Sequence, residues 1–411
     1  MKNTDERLEW FLKRDNGLSL TQKVSLLEGE TSISSAGIGR TRFENALKRI
    51  NLLATHEEIE RRRLTECDGE WAAAAALFVE KERGDLTAAE LLEVGEALAE
   101  ETKSSTKMAV FAYLLSRMGK LELYFLASHI NKFYDLVSRT SSLIRSFSKS
   151  FNVDLKTVER LAAMYSMVDV AWMIENNRTL EPFVRLIPFR TFKPMLAAKW
   201  EREYTFPVAV EAKYDGVRLL VHKSGNRVSL FARRRKDYSY KFPSLLALST
   251  LIPAYSVILD GEVTAQQWTV EGPKYLNVFE LHEAVRSGLP SYVLIYVIFD
   301  VLYLNGIELV HLPYEKRRQL RHQLAQTIGR TSSFVVREVE TTLVRDKPEL
   351  INVYNSLVDA GYEGAIIKDL NGKYELGKRS DLWVKLKPKE TLDVVVTGVI
   401  PLQENGRLRV W

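Results

Sequence analysis

The stretch Glu211-Ala-Lys-Tyr-Asp-Gly-Val-Arg218 places a lysine at the mouth of a predicted tight turn, with an acid, a glycine and an arginine beside it. Residues 206–211 and 217–222 on either side have the composition of β-strands, so Tyr214-Asp215-Gly216 is predicted as the turn between two strands. Asp-Gly is a strong turn signal, because glycine takes positive φ without steric cost and lets a ligand approach the backbone. We also expect Glu211 and Lys213 to lie on the same side of the first strand.

Lys213 is therefore a candidate nucleophile. A lysine amine attacks only when it is neutral, so the site must lower its pKa by desolvation or by neighbouring cations. The alternative is an ordinary β-hairpin whose exposed end is charged. The rest of the sequence has to decide between these two interpretations.

Composition indicates a soluble globular protein of two or three domains, since the 411 residues are 46% hydrophobic and 27% charged. The longest apolar run, residues 293–304, is interrupted by Asp300 and is shorter than the roughly 20 residues of a membrane-spanning helix. The N-terminus lacks the apolar core of a signal peptide. Cys67 is the only cysteine, which excludes an intramolecular disulfide and a thiolate metal cluster. We expect an intracellular protein of the cytoplasm or nucleoid, or of the nucleus in a eukaryote.

Residues 1–185 are predicted to form an all-α domain. A capping box at Thr87 and Glu90 opens one helix. Apolar residues at helical spacing predict further helices at residues 107–118, 121–131, 134–147 and 153–165. A helix start near Lys103 and Lys107 would favour phosphate, because its backbone N–H groups are free and its macrodipole is positive. The alternative there is an ordinary capped surface helix.

Residues 186–390 are predicted to form an α+β domain. Prolines at 188 and 194 interrupt the helical periodicity, and one clear helix is predicted at residues 314–328. The predicted strands are at residues 228–232, 256–259, 292–300, 333–339, 364–368 and 383–386. After Pro388 a third unit begins, with a predicted strand at residues 393–400 and a hairpin at residues 402–410.

Further motifs follow the Lys213 stretch in the chain. In order, the set is Lys213-Tyr-Asp-Gly-Val-Arg218, Phe231-Ala-Arg-Arg234, Leu259-Asp-Gly-Glu-Val263, Val297-Ile-Phe-Asp-Val-Leu-Tyr-Leu-Asn-Gly306, Glu363-Gly-Ala-Ile-Ile-Lys368 and Trp383-Val-Lys-Leu-Lys387. These motifs, in this order, resemble those of the ATP-dependent DNA ligases, and the organisation is most similar to the archaeal and eukaryotic replicative type. The resemblance covers residues 70–390. The chain departs from the family at Ala232, where serine is more usual.

The resemblance implies that Lys213 attacks the α-phosphate of ATP and forms a lysyl-AMP intermediate. The AMP would then pass to the 5′-phosphate of a nick, and the 3′-hydroxyl would displace it. Lys385 and Lys387 would contact the α-phosphate and further lower the pKa of Lys213. Glu262 and Glu363 would hold Mg²⁺, with Glu262 also near the ribose.

The resemblance also assigns the nucleoside contacts. Phe299 would stack on the adenine ring, Glu211 would address its exocyclic amine, and Arg218 would reach the ribose. Arg233 would lie toward the nucleotide phosphate and the nick. Asp215 would act at the sealing step.

The resemblance further implies that residues 1–185 are a DNA-binding domain that grips the minor groove of nicked duplex DNA. Lys103 and Lys107 are its candidate phosphate contacts. We expect a monomer that does not bind membranes, and a sliding clamp is a further candidate partner. Residues 391–411 would begin an OB-fold that is incomplete, so no residue can be assigned to the basic motif that orients pyrophosphate in the family. We therefore expect slow self-adenylation, with sealing of pre-adenylated nicks retained.

Two other functions stay open at this stage. An RNA ligase or an mRNA guanylyltransferase would use the same Lys-x-Asp-Gly lysine, although the long helical region and residues 299–306 argue against both. A non-catalytic nick-binding protein would bind DNA without an AMP adduct. The six histidines, at positions 56, 129, 222, 282, 311 and 322, have no metal-ligand spacing, and we assign them no chemistry.

Overall fold

A computed structural model describes most of the chain. The described residues are 4–13, 18–28, 38–67, 71–81, 84–130, 140–176, 178–200, 204–270, 272–287 and 292–388. The strand predicted at 393–400, the hairpin at 402–410 and hence the OB-fold lie outside them. The chain divides into two compact units, Met1–Arg185 and Leu186–Trp411.

The described residues of the first unit form helices, which we number α1 to α12. They are Thr4–Lys13, Leu20–Glu28, Arg40–Ile50, His56–Thr65, Trp71–Ala76, Ala88–Glu100, Ser104–Ser116, Lys120–Ile130, Thr140–Phe151, Leu155–Met164, Met167–Glu175 and Glu181–Val184. One hydrophobic cluster centres on Phe43, which makes edge contacts with Trp71 and Phe111 at ring-centroid distances of 5.4 and 5.9 Å. A second cluster contains Phe147 and Val158.

The predicted capping box is confirmed at the start of α6, where Glu90 N–H donates to Thr87 Oγ1 and Thr87 N–H donates to Glu90 Oε2. The predicted helix start near Lys103 is also confirmed, since Lys103 is the residue that precedes α7. For helix α9, the predicted end at residue 147 is wrong. Helix α9 continues to Phe151, because the Phe151 ring packs on Phe147 at 4.8 Å and extends the buried face by one turn.

The second unit contains twelve strands among its described residues, numbered β1 to β12. They are Leu196–Lys199, Val208–Ala212, Val217–Ser224, Arg227–Ala232, Ser256–Thr269, Gly272–Tyr275, Tyr292–Leu304, Ile307–Glu308, Phe334–Glu338, Thr341–Val344, Ala365–Asp369 and Arg379–Leu386. A 3-10 helix at Pro243–Ala247 precedes helices α13 to α16, which are Leu248–Leu251, Val278–Ser287, Tyr314–Thr327 and Lys347–Asp359.

These strands form two sheets. The first has the order β1-β12-β11-β2-β10, and only its β1–β12 pair is parallel. The second has the order β4-β3-β5-β7-β8, with β6 paired to β5 and β9 paired in parallel to β7. The strands predicted on either side of Tyr214–Gly216 are present as β2 and β3. They belong to different sheets, so the interpretation as an ordinary hairpin is wrong and the turn carries the chain from one sheet to the other.

Two predicted strands extend well beyond their expected ends. The strand expected at residues 256–259 continues to Thr269, and the one expected at 292–300 continues to Leu304. Gly261 permits this, since a Cβ there would lie 2.6 Å from the Tyr296 ring and from the Val297 carbonyl oxygen. The charge of Asp300 within the apolar run is balanced by Arg317 of α15, whose two hydrogen bonds to it are 2.9 and 3.0 Å long. Both side chains are completely buried.

Within the described ranges, no helix combines the length and the apolar character needed to cross a bilayer.

Candidate active site

A cavity of about 490 Å³ opens in the second unit and is lined by strands of both sheets. Eight of the residues predicted for the site line it: Glu211, Lys213, Arg218, Arg233, Glu262, Phe299, Lys385 and Lys387. Glu363 contacts two of these lysines. Asp215 is exposed in the turn beside the cavity. Lys103 and Lys107 belong to the first unit.

The backbone fixes Lys213 opposite Glu363. Lys213 N–H donates to the Gly364 carbonyl and Glu363 N–H donates to the Lys213 carbonyl, each at 3.0 Å. These bonds extend the antiparallel pairing of β2 with β11 by one step. Gly364 has a φ of +140°, and a Cβ there would lie 2.1 Å from the Leu386 carbonyl oxygen. Only glycine therefore lets β12 approach this closely.

The side chains of Lys213 and Glu363 also form an ion pair, and Lys387 donates to the other oxygen of the same carboxylate. Burial lowers the pKa of Lys213, while the nearby carboxylates of Glu262 and Asp215 act in the opposite direction. This direction agrees with the need for a neutral amine, while the further lowering expected from Lys385 and Lys387 stays a prediction. The main physical cause of the lower pKa is desolvation.

Cations dominate the end of the cavity formed by β12. Side chains on a strand alternate between its two faces, and Arg379, Trp383, Lys385 and Lys387 all line the cavity. Burial lowers the pKa of Lys385, and the charges of Arg379 and Lys213 lower it further. Burial also lowers the pKa of Arg233, and the charges of Arg379 and Arg218 lower it further. Such a positive cavity wall suits a polyphosphate.

Glu262 of β5 contributes a carboxyl group to the cavity lining. Burial raises its pKa to about 8, although the charges of Arg218 and Lys213 partly oppose that shift. In the part of the chain that the structure describes, no three acidic, histidine or cysteine side chains come together as a metal site. Mg²⁺ commonly takes only one or two carboxylates and completes its shell with water and substrate phosphates. Glu262 and Glu363, both near Lys213, fit that pattern.

Glu211 is buried at the back of the cavity and is 2% exposed. Its carboxylate contacts Lys368 at 2.6 Å and Arg321 at 3.1 Å, and it accepts hydrogen bonds from the hydroxyls of Tyr314 and Thr341. Burial acts to raise the pKa of Glu211, but the two cations outweigh it and leave the pKa below its ordinary value. These contacts therefore hold Glu211 as a buried carboxylate.

Arg218 is oriented by an acid in the neighbouring strand. Its guanidinium makes two hydrogen bonds to Asp260, at 2.9 and 2.6 Å, and a third to the Tyr374 hydroxyl at 3.2 Å. It lies 5.2 Å from the centroid of the Phe299 ring. The Phe299 ring meets Trp383 edge-on at 6.1 Å, so these side chains form one wall of the cavity.

Sequence reasoning missed some residues of the site. Asp260 and Lys368 lie within the motifs quoted above, and their position in those motifs could have identified them as residues of the site. Arg379 could have been found by counting alternate residues back from Lys385 along β12. His282 of α14 also lines the cavity, although the histidines had been assigned no chemistry. Nothing in its spacing indicates this.

Comparison with known proteins gives consistent results. Residues 194–387 match the family described as "ATP dependent DNA ligase domain". The chain is similar to a DNA ligase of Methanospirillum hungatei, with 31% identity over 301 residues, or 71% of this chain and 53% of that protein. It is similar to a DNA ligase of Methanopyrus kandleri, with 31% identity over 77% of this chain and 59% of that protein. The chain spans about half the length of several curated relatives that it matches.

Among solved structures, the mycobacterial DNA ligase D complexed with ATP and MES is 29% identical over 47% of this chain and 59% of its own, with a TM-score of 0.37.

Proposed function

The chain belongs, through its residues 194–387, to the ATP-dependent DNA ligases of the nucleotidyltransferase superfamily, and we propose that it seals nicks in duplex DNA through a lysyl-AMP intermediate. One observation carries this proposal. Lys213 is desolvated, is fixed opposite Glu363 by the backbone, and faces the cavity wall that carries Lys385 and Lys387. A nucleophilic amine beside a phosphate-binding surface is what adenylyl transfer needs.

In the first step the neutral amine of Lys213 attacks the α-phosphorus of ATP. The N–P bond forms as the bond from phosphorus to the bridging oxygen breaks, the electron pair leaves with pyrophosphate, and the amine proton passes to solvent. Charge builds up on the phosphoryl oxygens, where Lys385 and Lys387 are placed to stabilise it. In this structure, the Glu363 carboxylate accepts hydrogen bonds from both Lys213 and Lys387. Glu363 therefore holds the proposed nucleophile and a proposed phosphate contact close together before nucleotide binds.

Glu262 and Glu363 would hold Mg²⁺, which when bound neutralises polyphosphate charge. Glu211 would accept from the exocyclic amine of adenine, and Phe299 would stack on the ring. Arg218, oriented by Asp260, would reach the ribose. Burial and charge pairing hold these side chains in fixed positions before the substrate arrives, which supports their role in orienting it.

The two later steps need DNA. Arg233 and Asp215 are exposed beside the cavity, where a nick could approach. We assign DNA binding to the helical residues 1–185, with phosphate contacts at Lys103 and Lys107. An OB-fold beginning near residue 391 belongs to the same proposal.

The test is the intact mass of the chain after incubation with ATP and Mg²⁺. We expect a mass increase of one AMP, and its absence in Lys213→Met, which keeps an unbranched side chain of similar volume without the amine. Thermal unfolding of both proteins serves as the folding control. An adduct that persists in Lys213→Met would place the nucleophile elsewhere.

The alternative functions are distinguished by this mass measurement together with an assay of nick sealing. A non-catalytic nick-binding protein would give no adduct while binding nicked DNA. An RNA ligase or a guanylyltransferase would give an adduct but would fail to seal a DNA nick, or would prefer GTP.

A further inference from the structure

Three tyrosine rings come together beside Lys213, and the chemistry proposed above does not use them. Tyr214 follows Lys213 in the turn between β2 and β3. Tyr362 directly precedes Glu363, and Tyr275 is the last residue of β6. The Tyr214 ring centroid lies 5.8 Å from that of Tyr275 and 5.1 Å from that of Tyr362, and the last two are 5.7 Å apart. Each ring therefore packs on both others, and we call this group the tyrosine cluster.

The rings of the tyrosine cluster have a specific arrangement. Tyr214 meets Tyr275 at an interplanar angle of 79° and Tyr362 at 77°, which is the edge-to-face geometry that aromatic pairs prefer. All three residues are partly buried. Burial raises the pKa of Tyr275, and the neighbouring Tyr362 hydroxyl raises it further. The cluster is therefore a packed group of neutral phenols.

The tyrosine cluster connects the two sheets that line the cavity. Tyr362 lies in the segment that leads from α16 into β11 of the first sheet. Tyr275 belongs to β6, which pairs with β5 of the second sheet. Tyr214 and Tyr275 also pack against the hydrophobic cluster that contains Ile295 and Val297 of β7. Tyr214, in the turn that carries the chain from one sheet to the other, is thus held against both.

The same turn is anchored on either side of Tyr214. On one side, Lys213 exchanges its two backbone hydrogen bonds with Glu363 and Gly364. On the other side, a Cβ at Gly216 would lie 2.3 Å from a carbonyl oxygen of β5, so the turn lies directly on the second sheet there. The tyrosine cluster restrains the residue between these two anchors.

We propose that Tyr275 and Tyr362 are positioning residues, which act through Tyr214 to hold the Lys213 amine in line for attack on the α-phosphorus. This inference rests on the proposed function for its chemistry. In-line transfer needs the nucleophile at a near-attack distance, and a displacement of about 1 Å can cost about 100-fold in rate. The cluster sets where the turn lies relative to the cavity wall formed by β12.

The first arm of the test compares self-adenylation by the full chain in variants of Tyr275. Tyr275→Ala removes the ring and should lower the maximal rate at saturating ATP by about tenfold or more. The ATP concentration at half-maximal rate should change by less than about twofold, because the proposed nucleotide contacts remain. Tyr275→Phe keeps the ring and should retain the parent rate, which separates ring packing from the hydroxyl. If Tyr275→Ala does not fold, Tyr275→Leu takes its place, with a rate loss in the same direction.

Tyr204→Ala is the matched control. Tyr204 is also partly buried and its ring lies 5.3 Å from that of Trp200, but it packs in a different hydrophobic cluster of the same unit. Its loss should lower the unfolding temperature and leave the rate of self-adenylation per folded molecule at the parent level. Equal rate losses in Tyr204→Ala and Tyr275→Ala would reduce the tyrosine cluster to general stability and overturn the proposal.

The second arm tests whether the tyrosine cluster acts as one unit. Tyr362→Ala should slow self-adenylation about as much as Tyr275→Ala. The double variant should be slower than either single variant by no more than about twofold, since a turn that is already released has little more to lose. Losses that multiply would show that the two rings act separately, against the proposal.

The third arm does not depend on catalysis. In hydrogen exchange measured by mass spectrometry, peptides that contain the Lys213 and Glu363 amides should exchange about tenfold faster in Tyr275→Ala. The same peptides should exchange at the parent rate in Tyr275→Phe and Tyr204→Ala. An unchanged exchange rate in Tyr275→Ala, or an unchanged rate of self-adenylation, would overturn the positioning role. Failure of the parent to form any AMP adduct would instead refute the proposed function, while hydrogen exchange would still decide whether the cluster holds the turn.

Discussion

Removal of the Lys368 charge should destabilise the first sheet of the second unit. Lys368 and Glu211 are 1% and 2% exposed, and their charged atoms are 2.6 Å apart. Breaking a buried ion pair costs about 3–5 kcal/mol, because the remaining charge is left in a poorly polarisable environment. Arg321 still contacts Glu211 in the variant, so we expect Lys368→Met to fall at the lower end, about 3 kcal/mol.

Hydrogen exchange measured by mass spectrometry on the full chain can localise this effect. Peptides covering β2 and β11 should exchange about 100-fold faster in Lys368→Met, since each 1.4 kcal/mol is a factor of ten. Peptides from helix α7 in the other unit provide the internal control and should exchange at the parent rate.

A double-mutant cycle tests the physical reason. Glu211→Gln alone leaves Lys368 and Arg321 with no carboxylate between them, and Lys368→Met alone leaves the carboxylate short of one cation. The two changes together remove both charges, so they should cost about 1–3 kcal/mol less than the sum of the single variants. Additive losses, or a loss below about 1 kcal/mol for Lys368→Met, would refute the reasoning that this pair stabilises the sheet.

The remaining predictions concern metal, DNA and pH. Glu262→Gln and Glu363→Gln should each raise the Mg²⁺ concentration needed for sealing, because a neutral amide is a poorer ligand for a hard dication; unchanged metal titrations in both would exclude the assignment. Deletion of residues 1–185 should weaken binding to nicked duplex and flatten its salt dependence, as measured by fluorescence anisotropy; an unchanged slope would give the helical unit another role. His222 is buried, accepts from Phe189 N–H, and has its pKa lowered by burial to about 3. Since the unfolded chain binds a proton there below its ordinary pKa and the folded chain does not, stability should fall as pH drops from 6.5 toward 3, by on the order of 1.4 kcal/mol per pH unit. His222→Gln should reduce that slope in urea titrations, and an equal slope in both proteins would contradict the assignment.

The sequence alone was sufficient where the information is local. The turn at Tyr214–Gly216 follows from Asp-Gly chemistry, and the capping box at Thr87 follows from the spacing of two side chains. The proposal that Lys213 is the nucleophile needed only the order of the motifs. Strand existence was also predicted correctly in most cases, because alternating apolar residues are visible in the sequence itself.

Only the tertiary structure decided which strands pair and which charges meet. Lys213 and Glu363 are 150 positions apart in the chain and become neighbours through the pairing of β2 with β11. No local pattern places β2 and β3 in different sheets, since an Asp-Gly turn fits a hairpin equally well. The desolvation that lowers the pKa of Lys213 and raises that of Glu262 is likewise a property of the folded protein, because burial depends on atoms contributed by distant segments.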